Sequence, residues 1–375
     1  MAQNTDVIVI GAGIAGASIA GNLAPHCRVT ILEAESQPGY HTSGRSAALY
    51  SEIYGNAMVR ALSTGSRGFF ESPPDDFAGF TLTRPRGALH AGAPGDEALL
   101  SARAREYAAL VPSVHEIPGD ELLRLVPVMR PEAVVGAVYE PDALDLDTNG
   151  MLQGFLRMAR RNGATVVTDA RVEALHAEHG AWRLRTARDE YVAPVVVNAA
   201  GAWADHVAKL AGLAPVGVTP KRRTAMLVDP PPGVAIDDWP LVVALDETWY
   251  FKPDAGKLLL SPADETPSEP CDAQPEELDV AIAVDRVQSV TTLEIRRIAH
   301  RWAGLRSFAR DKTPVLGFDP RAHGFFWCAG QGGYGFQTAP AMGRAGAALV
   351  QGKPLPSDLA ALGVTAADLS PQRLL

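Results

Sequence analysis

The run Val7-Ile8-Val9-Ile10, followed by Gly11-Ala12-Gly13-Ile14-Ala15-Gly16, constrains the fold more than any other stretch of the chain. A short β-branched segment ending in glycines predicts a strand buried on both faces, at the centre of a parallel sheet. The spacing then predicts a helix over 14–24 and a second strand over 28–33 (RVTILE), which closes a βαβ unit. Glu33 stands 22 positions beyond Gly11, at the end of that second strand. In this pattern the first glycine permits a tight turn, the second lets the backbone approach a pyrophosphate, and the third lets helix and strand pack closely. The acid can accept both hydroxyl hydrogens of an adenosine ribose. An accidental glycine-rich turn in another α/β fold is the alternative. The preceding strand, the following helix and the spacing of Glu33 favour a dinucleotide.

The same region holds the longest uncharged stretch, from Val7 to Pro25, which on hydropathy alone suggests a membrane span or signal peptide. The details argue otherwise: residues 1–6 contain no Lys or Arg, and Gly11, Gly13, Gly16 and Gly21 interrupt the run. No transmembrane segment is expected. Asp plus Glu outnumber Lys plus Arg by 43 to 34, a net charge of −9, which disfavours nucleic acid and anionic membranes as partners. The three cysteines, Cys27, Cys271 and Cys328, are far apart and form no C-x-x-C pair. A disulfide framework and a zinc ribbon are therefore both poor readings, no metal site is expected, and a reducing cytoplasm fits best.

Beyond residue 56 the pattern changes. Helices are expected over 57–71 and 96–111, prolines punctuate 112–145, and a helix over 151–161 precedes strands at 165–175 and 191–198. Residues 219–262 read as an antiparallel sheet with turns at Pro230-Pro231-Pro232 and Pro253-Asp254-Ala255-Gly256. A polar loop over 263–277, a helix over 285–299, a strand over 324–329 and a helix over 340–351 complete the reading. The fold class is α/β, a Rossmann-like nucleotide domain (1–85, 146–220 and 300–375) with an α+β substrate domain (86–145 and 221–299), both discontinuous.

Two further glycine-bearing patches, Gly44-Arg45-Ser46-Ala47-Ala48 and Gly330-Gln331-Gly332-Gly333-Tyr334-Gly335, lie far apart in sequence. Three such patches suggest an extended ligand, which FAD requires and NAD usually does not. Gly332 and Gly333 precede a helix whose N-terminal amides would favour the negative charge of a reduced flavin.

The chain resembles the FAD-dependent amine and D-amino-acid oxidoreductases of the D-amino acid oxidase superfamily, and within it the bacterial D-arginine dehydrogenases. The resemblance rests on VIGAGIAGAS (9–18), QPGYH (37–41), GRSAA (44–48), VNAAGAW (197–203), PKRR (220–223), KPDAG (252–256), WAGLRSF (302–308) and QGGYG (331–335), spread over nearly the whole chain. It implies a GR2-type FAD domain under a sheet that roofs the flavin. It implies cofactor contacts at Gly11, Gly13, Ile14, Ala15, Gly16, Glu33, Ala34, Ser43, Gly44, Arg45, Ser46 and Ala48. Further along the chain it implies them at Val172, Ala200, Gly201, Trp203, Gly304, Gly332, Gly333, Tyr334, Gly335 and Thr338. For the substrate it implies Arg223 and Arg306 on the carboxylate, Tyr54 and Tyr250 as hydroxyl partners, and the Gly333 carbonyl on the amino group. Arg suits a carboxylate because its planar fork gives paired, charge-assisted hydrogen bonds. Arg222 and Arg223 are adjacent, so on a strand only one of them can enter a pocket. Arg306 has a structural alternative, a pair with a nearby acid.

Two departures bear on the substrate. Ala88 stands where the D-arginine dehydrogenases carry a glutamate for the guanidinium, and Leu49 stands where they carry a histidine, with Ser51 replacing a threonine. A buried cationic side chain without its counter-ion is costly. With Leu49, Ala88, Leu241, Val243 and Trp249 as walls, an apolar pocket and a neutral D-amino acid are expected. No cysteine lies between 272 and 327, so FAD is expected to bind non-covalently, a histidyl link through His41 being the alternative. Solvent, Tyr54 or Ser51 is the expected acceptor of the amine proton. The electron acceptor, oxygen or a quinone or electron-transfer partner, is left open, as are a secondary amine, N-methyl amino acid or 2-hydroxy acid as substrate and a non-catalytic flavin sensor.

Overall fold

The computed structural model describes residues 2–375. Its centre is a six-stranded sheet in the order Thr165–Val167, Val29–Leu32, Val7–Ile10, Val195–Asn198, Phe325–Ala329, Val315–Phe318. The first five strands are parallel and the last is antiparallel. All four residues of Val7–Ile10 are buried, because successive side chains enter two different cores. Val7 and Val9 pack with the helices Ile14–Leu23, Thr148–Arg161 and Gly335–Val350. Ile8 and Ile10 face Trp182, Leu184 and Tyr191 of a small four-stranded sheet and helix Ala204–Leu210. A strand covered on both faces has no use for polar residues, which is why this run is continuously apolar.

Two sequence expectations divide in the structure. The run 191–198 forms two strands, Glu190–Ala193 in the small sheet and Val195–Asn198 in the central one, separated at Pro194. Proline lacks an amide to continue a ladder, so the chain changes sheets there. Likewise 165–175 breaks after Val167 and resumes as Ala174–Glu178 in the small sheet, with Asp169 at φ 52° in the turn between.

The second large element is an eight-stranded sheet, in the order Ile298–Phe308, Thr219–Val228, Lys257–Ser261, Tyr250–Asp254, Leu241–Ala244, Ala88–Gly92, Gly136–Glu140, His115–Pro118. One pair, Leu241–Ala244 with Ala88–Gly92, is parallel, so the sheet is mixed rather than purely antiparallel. The helix expected over 285–299 spans Glu277–Val290. The chain that follows enters Ile298–Phe308, which pairs along Thr219–Val228. Residues 298–308 therefore belong to the sheet over the cleft. One face of this sheet packs on Glu277–Val290 through Val242, Phe251, Leu258 and Val287; the other looks toward the nucleotide domain.

A three-stranded sheet of Leu49–Tyr50, Leu144–Leu146 and Thr83–Pro85 bridges the two halves. On its middle strand Asp145 accepts from Arg86 Nε at 2.6 Å and from Lys252 Nζ at 2.6 Å. Arg86 Nη1 also donates to the carbonyls of Asp237 and Trp239, both at 2.7 Å. The two cationic side chains are 4% and 5% exposed, so one carboxylate holds two buried charges. Asp145→Ala should lower the unfolding free energy in urea by about 3–5 kcal/mol, the usual result of stranding a buried charge.

Candidate active site

The nucleotide cradle follows from two close approaches. Gly11 sits at φ 101°, and a Cβ there would lie 2.5 Å from the Ala199 carbonyl oxygen. A Cβ on Gly16 would lie 1.9 Å from the Gly11 oxygen, so only glycine lets the helix close on the turn. The helix starts at Gly13 with no side-chain cap, leaving its positive end toward the cleft. Ser43 Oγ accepts from the Ile14 amide at 2.9 Å. Glu33, 9% exposed, accepts from the Ala12 amide at 2.8 Å and the Glu35 amide at 3.0 Å, which fixes its carboxylate at the end of the second strand.

An outer cleft lined by Gly11, Gly13, Ala34, Ser43, Val172, Ala200, Gly201 and Trp203 meets an inner one at Gly13, Thr42, Ser43 and Gly201. The inner cleft continues past Ile14, Ala15, Arg45, Ser46, Ala48, Gly304, Gly332 and Gly335. It shares Ser46, Ala48, Arg223, Tyr250, Arg306 and Gly333 with a third chamber. The result is one elongated groove with the N-terminal end of helix Ile14–Leu23 partway along it. This shape and chemistry fit a dinucleotide that carries a flavin.

Some expected cofactor residues lie behind this groove. Gly16 supports the turn from below. Gly44 closes a turn through its amide to the Gly39 carbonyl at 2.7 Å. Thr338 is fully buried and donates to the Tyr334 carbonyl at 2.8 Å, one helical turn back. Tyr334 packs against Tyr54 and Phe308. For Tyr334 and Thr338 the reason is that helix Gly335–Val350 starts five residues before the expected 340, so its first turn faces inward. His41 lines the outer cleft, with Nε2 3.1 Å from Glu35 Oε1 and its ring 4.6 Å from Trp203. It does not line the chamber that holds Arg306, which argues against a histidyl flavin.

The third chamber gathers Leu49, Ser51, Tyr54, Ala88, Arg223, Leu241, Val243, Tyr250, Arg306 and Gly333. Strand alternation decides which residues enter. Arg222 turns away to Asp279 at 2.9 Å, also pairing with Glu276, so Arg223 faces the cavity. Arg223 Nε donates to the Asp264 carbonyl at 2.8 Å, and Nη2 lies 3.5 Å from Glu265. Arg306 Nη1 donates to the Tyr54 hydroxyl at 3.3 Å, and no carboxylate among the described residues lies within ion-pair distance of it. Burial opposes its charge, while the oxygens of Tyr54, Tyr250 and Tyr334 leave its pKa above the ordinary value. Burial pushes the Tyr250 phenol up, but the two guanidiniums outweigh it and hold its pKa below the usual value. A methyl on Gly333 would come within 2.9 Å of Arg306 Nη1 and 3.1 Å of the Tyr54 hydroxyl.

Trp249 is a correction. Its neighbour Tyr250 takes the cavity side, so Trp249 stacks on Phe251, centroids 6.0 Å apart, in the core beneath the sheet. Conversely, the chamber includes residues that sequence reasoning missed: His90, whose pKa burial and then Arg103 press down to about 4, and Asp246, Glu247, Glu265 and Lys312. The inner walls are apolar, whereas Asp246, Glu247 and Lys312 make an exposed, charged rim. The i, i+2 relation of His90 to Ala88 on one strand was the signal available for the histidine.

Residues 6–349 match the family model described as FAD dependent oxidoreductase. The chain belongs to this DAO family. It is 25% identical over 374 residues to glycine oxidase from Bacillus licheniformis, covering 96% of each chain. It is 26% identical over 212 residues to monomeric sarcosine oxidase from Bacillus sp. strain B-0618, covering 54% of this chain and 53% of that protein. The solved structure of glycine oxidase from Geobacillus kaustophilus superposes with a TM-score of 0.85 at 23% identity, over 97% of this chain and 99% of that one. As a DAO-family member the chain is an FAD-dependent oxidoreductase, and two adjoining clefts that share Gly13, Thr42, Ser43 and Gly201 lie at the N-terminal end of helix Ile14–Leu23, where this cofactor would fit. No helix among the described residues is long and apolar enough to cross a membrane.

Gly13 lines both the outer and inner clefts, and a Cβ there would stand 3.1 Å from Ser43 Oγ. Gly13→Val should purify folded by circular dichroism but with less than about a tenth of the wild-type flavin absorbance, since a branched side chain occupies the groove.

Proposed function

We propose that the protein oxidises the Cα–N bond of a D-amino acid with a neutral, mainly apolar side chain. The observation that carries this reading is the Arg306 guanidinium, half-buried beside Arg223, facing a cavity and lacking a carboxylate partner. A cation drawn partly out of water with no carboxylate beside it is left uncompensated, so the chamber favours an anionic ligand that can approach it. An amino acid carboxylate meets that need through paired, charge-assisted hydrogen bonds.

Bound FAD supplies the hydride acceptor. The chain's own residues bind and orient. Arg223 and Arg306 hold the carboxylate, the hydroxyls of Tyr54 and Tyr250 complete its hydrogen bonds, and the Gly333 carbonyl accepts from the amino group. Fixing two of the four substituents on Cα decides which face of that carbon is presented, a positioning effect. Leu49, Leu241 and Val243 pack on the side chain, and Ala88 leaves room for it. The imino acid released is hydrolysed by water to a 2-oxo acid and ammonia. The relatives named glycine oxidase and sarcosine oxidase support an amine-bearing acid as the substrate type. The second of these also supports an alternative, a secondary amine such as an N-methyl amino acid, held by the same clamp.

The test is anaerobic loss of flavin colour with glycine, sarcosine, proline, and both enantiomers of alanine, valine and methionine. The reading expects rapid bleaching by D-valine or D-methionine and little by the L-forms; bleaching by sarcosine or proline alone would replace it with the alternative. Arg306→Met should retain FAD and lose about 10²- to 10⁴-fold in kcat/KM, the effect of removing one partner from a buried charged pair.

A further inference from the structure

Oxidation of an amino acid by hydride loss needs the free amine, yet the substrate arrives as an ammonium. The chamber's cations and the weakly basic His90, at a pKa of about 4, do not take that proton well. Behind the chamber wall lies a carboxylate with no role in the site described above. Glu140 ends the strand Gly136–Glu140, opposite Ala88 in the neighbouring strand, and is 2% exposed. Its Oε2 accepts from Ser51 Oγ at 2.6 Å, and its Oε1 accepts from the Glu52 amide at 2.9 Å. Ser51 lines the chamber together with Arg306 and Tyr54.

No cation among the described residues pairs with Glu140; its neighbour Glu52 takes Arg67 instead. The groups around it are Ser51, Glu52 and Tyr50 from the strand Leu49–Tyr50 and its continuation, Arg67 beyond Glu52, and Asp142 in the next turn. Burial dominates, offset by the two hydrogen bonds and reinforced by the charges of Glu52 and Asp142. Together they bring the Glu140 pKa to about 7. Each of its two oxygens accepts one of these hydrogen bonds, which an amide of the same shape, with one oxygen and one NH2 group, could not reproduce.

We propose that Ser51 and Glu140 form the proton exit of the amine-oxidising site, Ser51 Oγ receiving the ammonium proton as it passes its own to Glu140 Oε2. One substrate N–H bond breaks, the serine O–H is exchanged, and one carboxyl O–H forms. The electron pair stays on nitrogen, so the step is redox-neutral and leaves the amine ready to release hydride. Glu140 touches no substrate atom and acts only through Ser51. The inference rests on the reading under Proposed function.

The experiment measures the rate constant for anaerobic flavin reduction divided by the substrate dissociation constant, from pH 5.5 to 10, with the fastest amino acid of the panel above. The wild type should rise through an inflection near the Glu140 value of about 7. In Glu140→Gln that inflection should vanish and the value at pH 7.5 should fall about 10²-fold or more. Flavin content and the spectral shift on binding benzoate, a non-reacting carboxylate, should stay as in the wild type. Ser51→Ala should reproduce the loss and Ser51→Thr should restore the inflection, and this pair carries the test if Glu140→Gln does not retain FAD. An inflection that persists in Glu140→Gln or Ser51→Ala, at a rate within twofold of wild type, overturns the proton route alone. A wild-type flavin that no amino acid bleaches overturns the functional reading and the route with it.

Discussion

The register between Thr219–Val228 and Ile298–Phe308 governs where positive charge stands in this molecule. Arg223 pairs with Gly304 and Lys221 with Arg306, so both guanidiniums of the chamber are carried on one two-stranded ladder. Side chains alternate along each strand, and a slip of one residue would turn Arg222 inward and Arg223 out toward Asp279 and Glu276. Gly304 adds to this: the Arg45 side chain approaches its Cα face, a Cβ there lying 3.5 Å from Arg45 Cβ. Arg45 in turn donates to the carbonyls of Ala273 and Ala303, both at 2.9 Å, and pairs with Asp272. The loop that follows the nucleotide cradle is thereby tied to the sheet above it, and the geometry of the chamber depends on both domains at once.

Electrostatically the chamber is graded. Its inner end holds two guanidiniums among tyrosine hydroxyls, its walls are aliphatic, and its rim mixes acids with Lys312. An anion is drawn inward, while the apolar middle resists hydration of whatever lies between. Glu140 sits behind this wall and forms an ion pair with neither guanidinium. Keeping a carboxylate near yet unpaired requires that its oxygens be satisfied by Ser51 and the Glu52 amide, which the short loop after Leu49–Tyr50 provides.

Much of this was legible in the chain itself. The glycine motif, its flanking strand and Glu33 are local features, and local sterics decide them. The arginine pair was reached through resemblance, and the alternation rule then separated Arg223 from Arg222. The same rule, applied to Trp249 beside Tyr250, would have removed the tryptophan from the pocket. What escaped depends on distant partners. Nothing within IAHRWAGLRSF reveals that Ile298–Phe308 pairs with Thr219–Val228. His90, Asp246 and Glu247 enter the chamber only because Ala88–Gly92 and Leu241–Ala244 run parallel side by side. Glu140 lies 89 residues from Ser51 in sequence, and its role cannot be read from either neighbourhood.

The order of strands in the central sheet has a bearing on how the molecule comes into being. Val195–Asn198 is inserted between Val7–Ile10 and Phe325–Ala329, so the sheet joins the beginning, middle and end of the chain. Such long-range pairing is slow, because loop closure must precede its reward. A nascent polypeptide emerging from the ribosome carries the glycine motif early but has no completed floor for a nucleotide until its last strands and final long helix have been synthesised. Cofactor capture is consequently a late event in biogenesis, and the growing chain holds Val7–Ile10 with a single neighbour, Val29–Leu32, until Val195–Asn198 has emerged.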